Sequence, residues 1–294
     1  MATTTSAADP AAAGTWTMGD RTVKRMGYGA MQLAGPGVFG PPRDHDGAIA
    51  VLHAAMAAGI DHIDTSDYYG PYVTNRLIKE ALHPYPASLT LVTKLGGRRN
   101  DKGEWLGAFS ADELRRGVES NLENLGLNQL EIVNLRSLHG RHAAGEGPLD
   151  EQMETLAVMQ QEGLIRHIGM SNVTRKQIED GQKIAPVVCV QNAYNLANRA
   201  DDDLIVWLAD QGIAYVPFFP LGGFTLLQSA ELDAVAAEVQ ATPMQVALAW
   251  LLQRSPNVLL IPGTSSLVHL HENIAAASLK LTAAAVARLD AIAG

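Results

Sequence analysis

The chain has 294 residues, of which 47% are apolar, and its formal net charge is −9. Since binding to a phosphate backbone needs dense positive charge, this acidic balance argues against nucleic acid as a partner. The single cysteine, Cys189, excludes an intramolecular disulfide, fits a reducing compartment and lies in an apolar run that predicts a small buried side chain rather than a catalytic thiol.

Residues 1–14 predict a mobile N-terminal tail rather than a secretory signal, because they contain neither a basic region nor a continuous apolar core. No apolar run reaches the roughly 18 residues of a membrane span. We therefore expect a cytoplasmic protein with no membrane partner. The sequence leaves the oligomeric state open.

From residue 15 onward the pattern alternates between strands and helices. A β-hairpin is predicted first, in TWTMGDRTVKRM. Eight strands follow, predicted in RMGYGAMQL, IDHID, SLTLVTK, QLEIVNL, IRHIGM, VVCVQ, IAYVPF and NVLLIPG. Helical spacing and capping signals predict helices in DHDGAIAVLHAAMAAG, TNRLIKEAL, SADELRRGVESNLENLG, LDEQMETLAVMQQEG, TRKQIEDGQKI, DDDLIVWLADQG, ELDAVAAEVQ, PMQVALAWLLQR, LVHLHENIAAAS and TAAAVARLDAIA.

Eight β/α units without a break in composition predict one α/β domain over residues 15–294, a (β/α)8 TIM barrel with an N-terminal β-hairpin. The interior strands are continuous apolar runs, as strands buried on both faces require. An open doubly wound sheet is the alternative. That fold usually carries a phosphate-binding glycine pattern after its first strand, and GYGAMQLAG has spaced glycines without that pattern.

Catalytic groups of a barrel stand at the C-terminal ends of its strands. The second predicted strand ends at Asp64, with Tyr69 just beyond it, and the third ends at Lys94. The later strand ends contribute Asn134, Arg136, Ser171, Asn172, Gln191 and Phe218. Core packing does not account for such a ring of polar and aromatic groups, which therefore predicts an active site.

Asp64, Tyr69 and Lys94 make chemical sense together. Tyrosine, with a pKa of about 10, is a weak acid, and a nearby lysine lowers that pKa. A carboxylate paired with the lysine holds the ammonium in place. The result is a proton donor matched to the alkoxide that forms when hydride adds to a carbonyl. The alternative is that these residues only shape a loop and end a strand, but their occurrence at neighbouring strand ends favours catalysis.

Three segments resemble those of the aldo-keto reductases. GIDHIDTSDYYG is similar to the family's first signature, IGMSN with VQNAYN resembles the segment that holds the nicotinamide carboxamide, and IPGTSSLVHLHEN resembles the adenosine-phosphate segment. The resemblance covers about residues 15–294. It implies a (β/α)8 barrel, NADP(H) bound without a Rossmann fold, and interconversion of a carbonyl and its alcohol.

The resemblance also implies roles for individual residues. Tyr69 is the general acid and base, and Asp64 and Lys94 tune it. The implied cofactor-binding residues are Gly29, Ala30 and Met31 beside the nicotinamide, Ser171, Asn172 and Gln191 on its carboxamide, Phe218 stacked on its ring, Leu221 and Gly222 at the pyrophosphate, and Gly263, Thr264, Ser265, His269, Glu272 and Asn273 at the adenosine phosphate.

The chain departs from the family pattern in two places. Where the family usually has a fourth catalytic residue, a histidine at the end of the fourth strand, the alignment puts Arg136; His139, three residues later, is the alternative. Where many members hold the 2′-phosphate with a lysine and an arginine, this chain has Gly263 and His269. We expect NADP(H), with NAD(H) as the alternative cofactor.

The interpretation that we favour is an NADP(H)-dependent oxidoreductase of a small aldehyde or ketone and its alcohol. VNLR and PFFPLGGF resemble a bacterial subgroup associated with vitamin B6, which makes pyridoxal a candidate substrate. A nicotinamide-nucleotide-binding regulatory or sensor protein is the alternative. A barrel phosphatase or aldolase needs metal ligands or a Schiff-base lysine; no metal site is predicted, and an aspartate partner keeps Lys94 charged.

Overall fold

The structure is a computed structural model that describes residues 8–140, 143–220 and 229–293. Its strands over these ranges are β1 (Thr15–Met18), β2 (Arg21–Lys24), β3 (Tyr28–Gly29), β4 (His62–Asp64), β5 (Thr90–Leu95), β6 (Gly97–Arg99), β7 (Trp105–Gly107), β8 (Leu130–Arg136), β9 (Ile165–Ser171), β10 (Val187–Gln191) and β11 (Ala214–Tyr215).

Seven of these strands form one parallel sheet in the spatial order β11-β10-β9-β8-β5-β4-β3. The segment 258–263 joins the two edges of that sheet, because Val258 bridges to Tyr215 on one side while Leu260 bridges to Met26 on the other. The sheet therefore closes into a barrel with the eighth predicted strand at the seam. The predicted α/β (β/α)8 fold is confirmed.

The helices surround this barrel at the positions that the sequence predicts. They are α1 (His45–Ala57), α2 (Val73–Leu82), α3 (Ala111–Leu125), α4 (Asp150–Gln161), α5 (Arg175–Ile184), α6 (Asp202–Asp210), α7 (Ala230–Glu238), α8 (Pro243–Arg254), α9 (Leu267–Ala275) and α10 (Ala283–Asp290). The capping box predicted from Ser110 to Glu113 begins α3, with each side chain bonded to the other residue's backbone.

The apolar core has two parts. The larger part lies between the sheet and the helices. The smaller part fills the barrel interior and consists of Met18, Val23, Val92, Ile132, Cys189, Ala214, Val216 and Leu259. Burial raises the pKa of the Cys189 thiol to about 12, so this side chain is a small buried group, as the sequence predicts.

The hairpin β1–β2 covers the N-terminal end of the barrel. Met18 and Val23 point from it into the barrel interior. Its turn is held by Asp20, which accepts a hydrogen bond from Arg166 and bonds the His167 ring at 2.6 Å. The hairpin thus seals the end opposite to the strand ends that carry the predicted site.

Three local features differ from, or add to, the pattern read from the sequence. Within the tail predicted to be mobile, Pro10–Ala13 form a 3₁₀ helix capped by Asp9, with Pro10 and Ala13 buried; residues 1–7 lie outside the described ranges. The first barrel strand is only β3, because a second 3₁₀ helix, Ala30–Leu33, follows at once. The glycine-rich loop after β5 contains the antiparallel pair β6–β7, which the sequence does not predict.

Among the described residues, no helix is both long enough and apolar enough to cross a membrane.

Gly19 supplies a stability test of the hairpin. Its φ of +65° is left-handed, and a Cβ there would lie 2.3 Å from the His167 ring. We expect Gly19→Ala to lower the free energy of unfolding by more than about 2 kcal/mol, because a clash adds to the backbone strain. Urea denaturation measures the loss.

Gly212→Ala is the matched control, because Gly212 has a φ of +71° and a Cβ there would meet no described atom within 4 Å. The free energy of unfolding of Gly212→Ala should fall only by the cost of the left-handed backbone, about 1 kcal/mol. Equal losses in the two variants would contradict the packing of the hairpin turn on His167.

Candidate active site

A buried ion pair joins the ends of two neighbouring strands. Asp64 ends β4 and Lys94 lies near the end of β5. The Lys94 ammonium donates to Asp64 Oδ1 and, at 2.9 Å, to the Thr65 carbonyl. The side chains of Lys94 and Asp64 are only 5% and 4% exposed. Because each charge compensates the other away from water, loss of one partner alone would strongly destabilise the site.

Gln191, at the end of β10, completes the surroundings of Asp64. Its side-chain nitrogen donates to Asp64 Oδ2 at 2.6 Å, across the barrel interior. The sequence predicts Gln191 only as a ligand of a carboxamide and gives no signal of this contact, since the two residues are 127 positions apart. Both oxygens of Asp64 are therefore engaged.

Tyr69 lies in the loop from β4 to α2, directly over the ion pair. The Lys94 ammonium is 5.3 Å from the centroid of its ring, and the residue is 7% exposed. Burial raises the pKa of Tyr69, the Asp64 carboxylate raises it further, and Arg136 lowers it. Burial is the largest cause of the rise in this pKa, and the cation that opposes the rise is Arg136.

Arg136 points into this site and His139 does not. The Arg136 guanidinium lies 5.2 Å from the centroid of the Phe218 ring and donates to Ser171 Oγ at 3.4 Å. The His139 ring bonds the Pro148 carbonyl at 3.2 Å, in the loop that precedes α4. Of the two candidates for the fourth catalytic position, Arg136 is the one that lies on the side of Tyr69.

The residues predicted to hold a carboxamide lie together at the ends of β9 and β10. Ser171 pairs with Gln191 in the sheet register, and the Asn172 backbone N–H donates to the Gln191 carbonyl at 2.8 Å. Two buried side-chain oxygens in this group, Asn172 Oδ1 and Gln191 Oε1, have no hydrogen-bond partner among the described residues. Such buried acceptors indicate a site for an external donor.

The residues predicted beside the nicotinamide ring lie on the same barrel face. Gly29 bridges to Gly263, and a Cβ on Gly29 would lie 2.3 Å from the Ile261 carbonyl oxygen, so only glycine allows this approach. Ala30 is buried, and Met31 packs against the cluster of Val38, Tyr68 and Tyr69. Leu221 and Gly222 lie outside the described residues.

The predicted adenosine-phosphate segment leads into α9. The Tyr28 hydroxyl donates to the Thr264 carbonyl at 2.6 Å, which fixes the segment to β3. Ser265 and His269 are exposed, while Asn273 is buried and the Glu272 carbonyl accepts from Gln245 at 3.1 Å. Ser265 and His269 are therefore side chains of this segment that are open to a phosphate.

Sequence reasoning misses the role of Asp67 in the same loop. Its carboxylate accepts from Ser120 Oγ at 2.6 Å, from Asn124 at 3.2 Å and from Asn75 at 3.3 Å. These donors belong to α2 and α3, so Asp67 pins the loop that carries Asp64 and Tyr69 to two helices. Burial raises the pKa of Asp67 to about 6, against the lowering effect of the three hydrogen bonds.

A second feature that the sequence leaves open is the wall beside Tyr68. Arg99 lies 4.0 Å from the Trp105 ring centroid and 5.4 Å from that of Phe39, and it donates to the Val38 carbonyl at 3.2 Å. Trp105 is 51% exposed, and its ring makes a T-shaped contact with that of Tyr68. Arg99 thus joins β6–β7 to the loop after β3.

In the part of the chain that the structure describes, no group of three or more His, Cys, Asp or Glu residues could hold a metal ion.

Comparison with known proteins gives consistent matches along most of the chain. The sequence profile of the Aldo/keto reductase family matches residues 25–293. Pyridoxine 4-dehydrogenase of Escherichia coli strain K12 is 61% identical, with 95% of this chain and 98% of that protein covered. An uncharacterized oxidoreductase of Schizosaccharomyces pombe is 39% identical over 97% and 92% of the two chains. A thermostable aldo-keto reductase, solved in complex with the inhibitor epalrestat, matches with a TM-score of 0.79 at 27% identity, covering 95% and 99%.

Asp67 gives a pH-dependent stability that can be measured. Its pKa rises from the ordinary 3.8 to about 6 on folding. Between these two values the folded protein therefore holds a proton on Asp67 that the unfolded chain has released. This stability is present at low pH and is lost as pH rises through about 6. Between about pH 4 and pH 7 the free energy of unfolding of the wild type should fall by about 2–3 kcal/mol relative to that of Asp67→Asn.

The comparison uses the difference between the two proteins at each pH, in which all other groups cancel. The asparagine can still accept from α2 and α3, and Ser120 can rotate its hydroxyl to accept from it. Two parallel curves of unfolding free energy against pH would show that Asp67 does not titrate as described.

Proposed function

The chain belongs to the aldo/keto reductase family, and from this premise we propose that it interconverts a small aldehyde or ketone and its alcohol with NADP(H), pyridoxal and pyridoxine being the substrate pair. The observation that carries the proposal is the buried Asp64–Lys94 pair beneath Tyr69. The choice of substrate is supported by the E. coli relative, which is 61% identical over nearly the full length of both chains.

The residues present fit a nicotinamide dinucleotide. A primary carboxamide has two N–H donors, and Asn172 and Gln191 offer two buried acceptors that lack partners within the described ranges. Phe218, whose ring centroid is 5.2 Å from the Arg136 guanidinium, offers a ring face beside them. Ser265 and His269, near the N-terminus of α9, are the groups that would hold the adenosine phosphate. When bound, the cofactor supplies or accepts the hydride.

Tyr69 donates the proton in carbonyl reduction and accepts it in alcohol oxidation. Because its pKa is raised, Tyr69 keeps its proton at neutral pH and can give it to the oxygen of a carbonyl as hydride reaches the carbon. In alcohol oxidation the phenolate takes the hydroxyl proton. The Lys94 ammonium lies 5.3 Å from the centroid of the ring, and Asp67 holds the loop of Tyr69 against α2 and α3.

Arg136 supplies the electrostatic help that the family usually takes from a histidine. An arginine guanidinium is a permanent positive charge and offers donors in a fixed fork. Beside a developing alkoxide it stabilises the negative charge, and it favours substrates with an anionic group near the carbonyl, such as the ring oxide of pyridoxal. The alternative of a binding protein without catalysis rests on the missing histidine, and Arg136 provides a substitute for it.

We propose NADP(H) rather than NAD(H) because Ser265 and His269 are exposed donors at the predicted adenosine-phosphate segment. We also propose a cytoplasmic location, in keeping with a single cysteine that is buried and free.

Tyr69→Phe tests the proton donor. The substitution removes the hydroxyl and keeps the ring, so turnover of pyridoxal should fall by about 10²–10⁴-fold or more while NADPH still quenches protein fluorescence. Tyr68→Phe is the matched control, because it removes a neighbouring buried hydroxyl that has no role in the proposed proton transfer. Comparable turnover in Tyr69→Phe and the wild type would refute the mechanism.

Arg136→Met tests the fourth position against His139→Ala. We expect Arg136→Met to lower kcat/KM by roughly 100-fold, as for the loss of one oxyanion donor. The alcohol-oxidation optimum should move to higher pH, because Arg136 lowers the pKa of Tyr69. His139→Ala should leave both quantities nearly unchanged. A large loss in His139→Ala with normal kinetics in Arg136→Met would reverse the assignment.

A further inference from the structure

Asp64 stands between two groups that serve different ends of the proposed reaction. Its Oδ1 accepts from Lys94, beside the proton donor, and its Oδ2 accepts from Gln191, at the carboxamide-binding strand end. Asp64 is 3% exposed and Gln191 is fully buried, so water does not substitute for either contact. Gln191 therefore belongs to the ion pair as well as to the cofactor site.

Chemistry fixes which end of the Gln191 amide faces Asp64. A carboxylate oxygen only accepts hydrogen bonds, so the amide nitrogen must point to it, because the flipped amide would bring two acceptors together. The carbonyl oxygen Oε1 then faces away, buried and without a partner in the described part of the chain. A buried acceptor left unsatisfied costs about 1–3 kcal/mol, which indicates a donor that the functional protein binds there.

Asn172 presents a second such oxygen. Its side-chain nitrogen donates to the Ser137 and Gly140 carbonyls at 3.3 Å and 2.6 Å, so its orientation is fixed in the same way. Its Oδ1 is also buried and bonds no described residue, and its backbone N–H is bonded to Gln191. Of the two residues, Gln191 is the one whose side chain also donates to Asp64 in the ion pair.

We infer that Gln191 is a positioning residue that couples the nicotinamide carboxamide to Asp64, and thereby to proton transfer at Tyr69. The inference rests on the proposed function. An amide whose oxygen accepts a hydrogen bond becomes a stronger donor at its nitrogen. Occupancy of the cofactor site therefore strengthens the bond to Asp64 Oδ2 and weakens the negative field of Asp64 at Tyr69. Cofactor binding makes the phenol more acidic.

Within the described ranges, few charged groups lie around Tyr69, so a change in its pKa can be assigned to one of them. They are Asp64 on β4, Lys94 on β5 and Arg136 on β8, with the neutral Tyr68 ring at 5.5 Å. Two further titratable groups lie behind the ion pair in the barrel. Burial lowers the pKa of His62 and raises that of Cys189, so both are uncharged at neutral pH.

Gln191→Met and Asn172→Gly separate coupling from simple binding. Methionine keeps the volume and loses both contacts of Gln191. Glycine accepts the φ of 60° at position 172; it loses the second acceptor and the side-chain bonds to the Ser137 and Gly140 carbonyls, but no contact with Asp64. The dissociation constant of NADP⁺, from fluorescence quenching, and kcat for pyridoxine oxidation are measured from about pH 6 to about pH 10, the range in which a tuned phenol titrates.

Both variants should bind NADP⁺ more weakly. Only Gln191→Met should move the midpoints of the two pH profiles, that of the dissociation constant and that of kcat, upward by about half to one pH unit. Without the hydrogen bond from Gln191, the negative charge of Asp64 raises the pKa of Tyr69 more strongly. Wild-type midpoints in Gln191→Met would overturn the inference. If the wild type itself neither binds NADP⁺ nor turns over, the proposed function fails instead.

Gln191→Leu keeps the test decisive if the methionine variant does not fold, as judged by its circular dichroism melting curve. Leucine also loses both contacts of Gln191 and adds no charge, so the midpoint should rise as in Gln191→Met. An unchanged midpoint in Gln191→Leu would also overturn the coupling.

Discussion

The buried ion pair between Asp64 and Lys94 is the constraint on which the rest of the site depends. Two charges removed from water are tolerated only when both are paired and hydrogen-bonded. The barrel meets this condition by ending two adjacent strands at these residues and adding the Thr65 carbonyl and the Gln191 amide as further partners. The position of Tyr69 over the pair then follows from a loop that starts at Asp64 itself.

A glycine in the barrel interior, Gly169, leaves space for the polar side chain of Asn134. A Cβ at Gly169 would lie 2.1 Å from Asn134 Oδ1 and 2.6 Å from Cys189 Sγ. The Cys189 thiol in turn donates to Asn134 Oδ1 at 3.2 Å, one strand away from Lys94. A larger residue at position 169 would collide with both Asn134 and Cys189, so the apolar and polar parts of the interior are packed as one unit.

Strand ends can be predicted from the sequence because parallel strands carry continuous apolar runs that stop abruptly at polar residues, as IDHID does at Asp64. The family resemblance then assigns roles to those ends. Contacts across the barrel cannot be predicted in this way. Gln191 reaches Asp64 only because the closed sheet brings distant segments together. The hydrogen-bonded chain of Thr65, Asn75 and Asn121 likewise depends on how α2 and α3 pack beside the loop after β4. The direction of the pKa shift at Tyr69 is also beyond the sequence, since it depends on burial rather than on which charges are near along the chain.

That shift explains why an arginine suits this site. The charge of Lys94 is largely taken up by Asp64, so the pair is nearly neutral when seen from a substrate above Tyr69. A neutral pair stabilises an alkoxide poorly. In the proposed reaction, Arg136, half-buried and engaged with Ser171 and the Phe218 ring, is then the charge that determines the sign of the field at the carbonyl. The two cations would have different roles in that reaction. Lys94 holds the carboxylate that raises the pKa of Tyr69, and Arg136 would stabilise the negative charge that develops on the substrate oxygen.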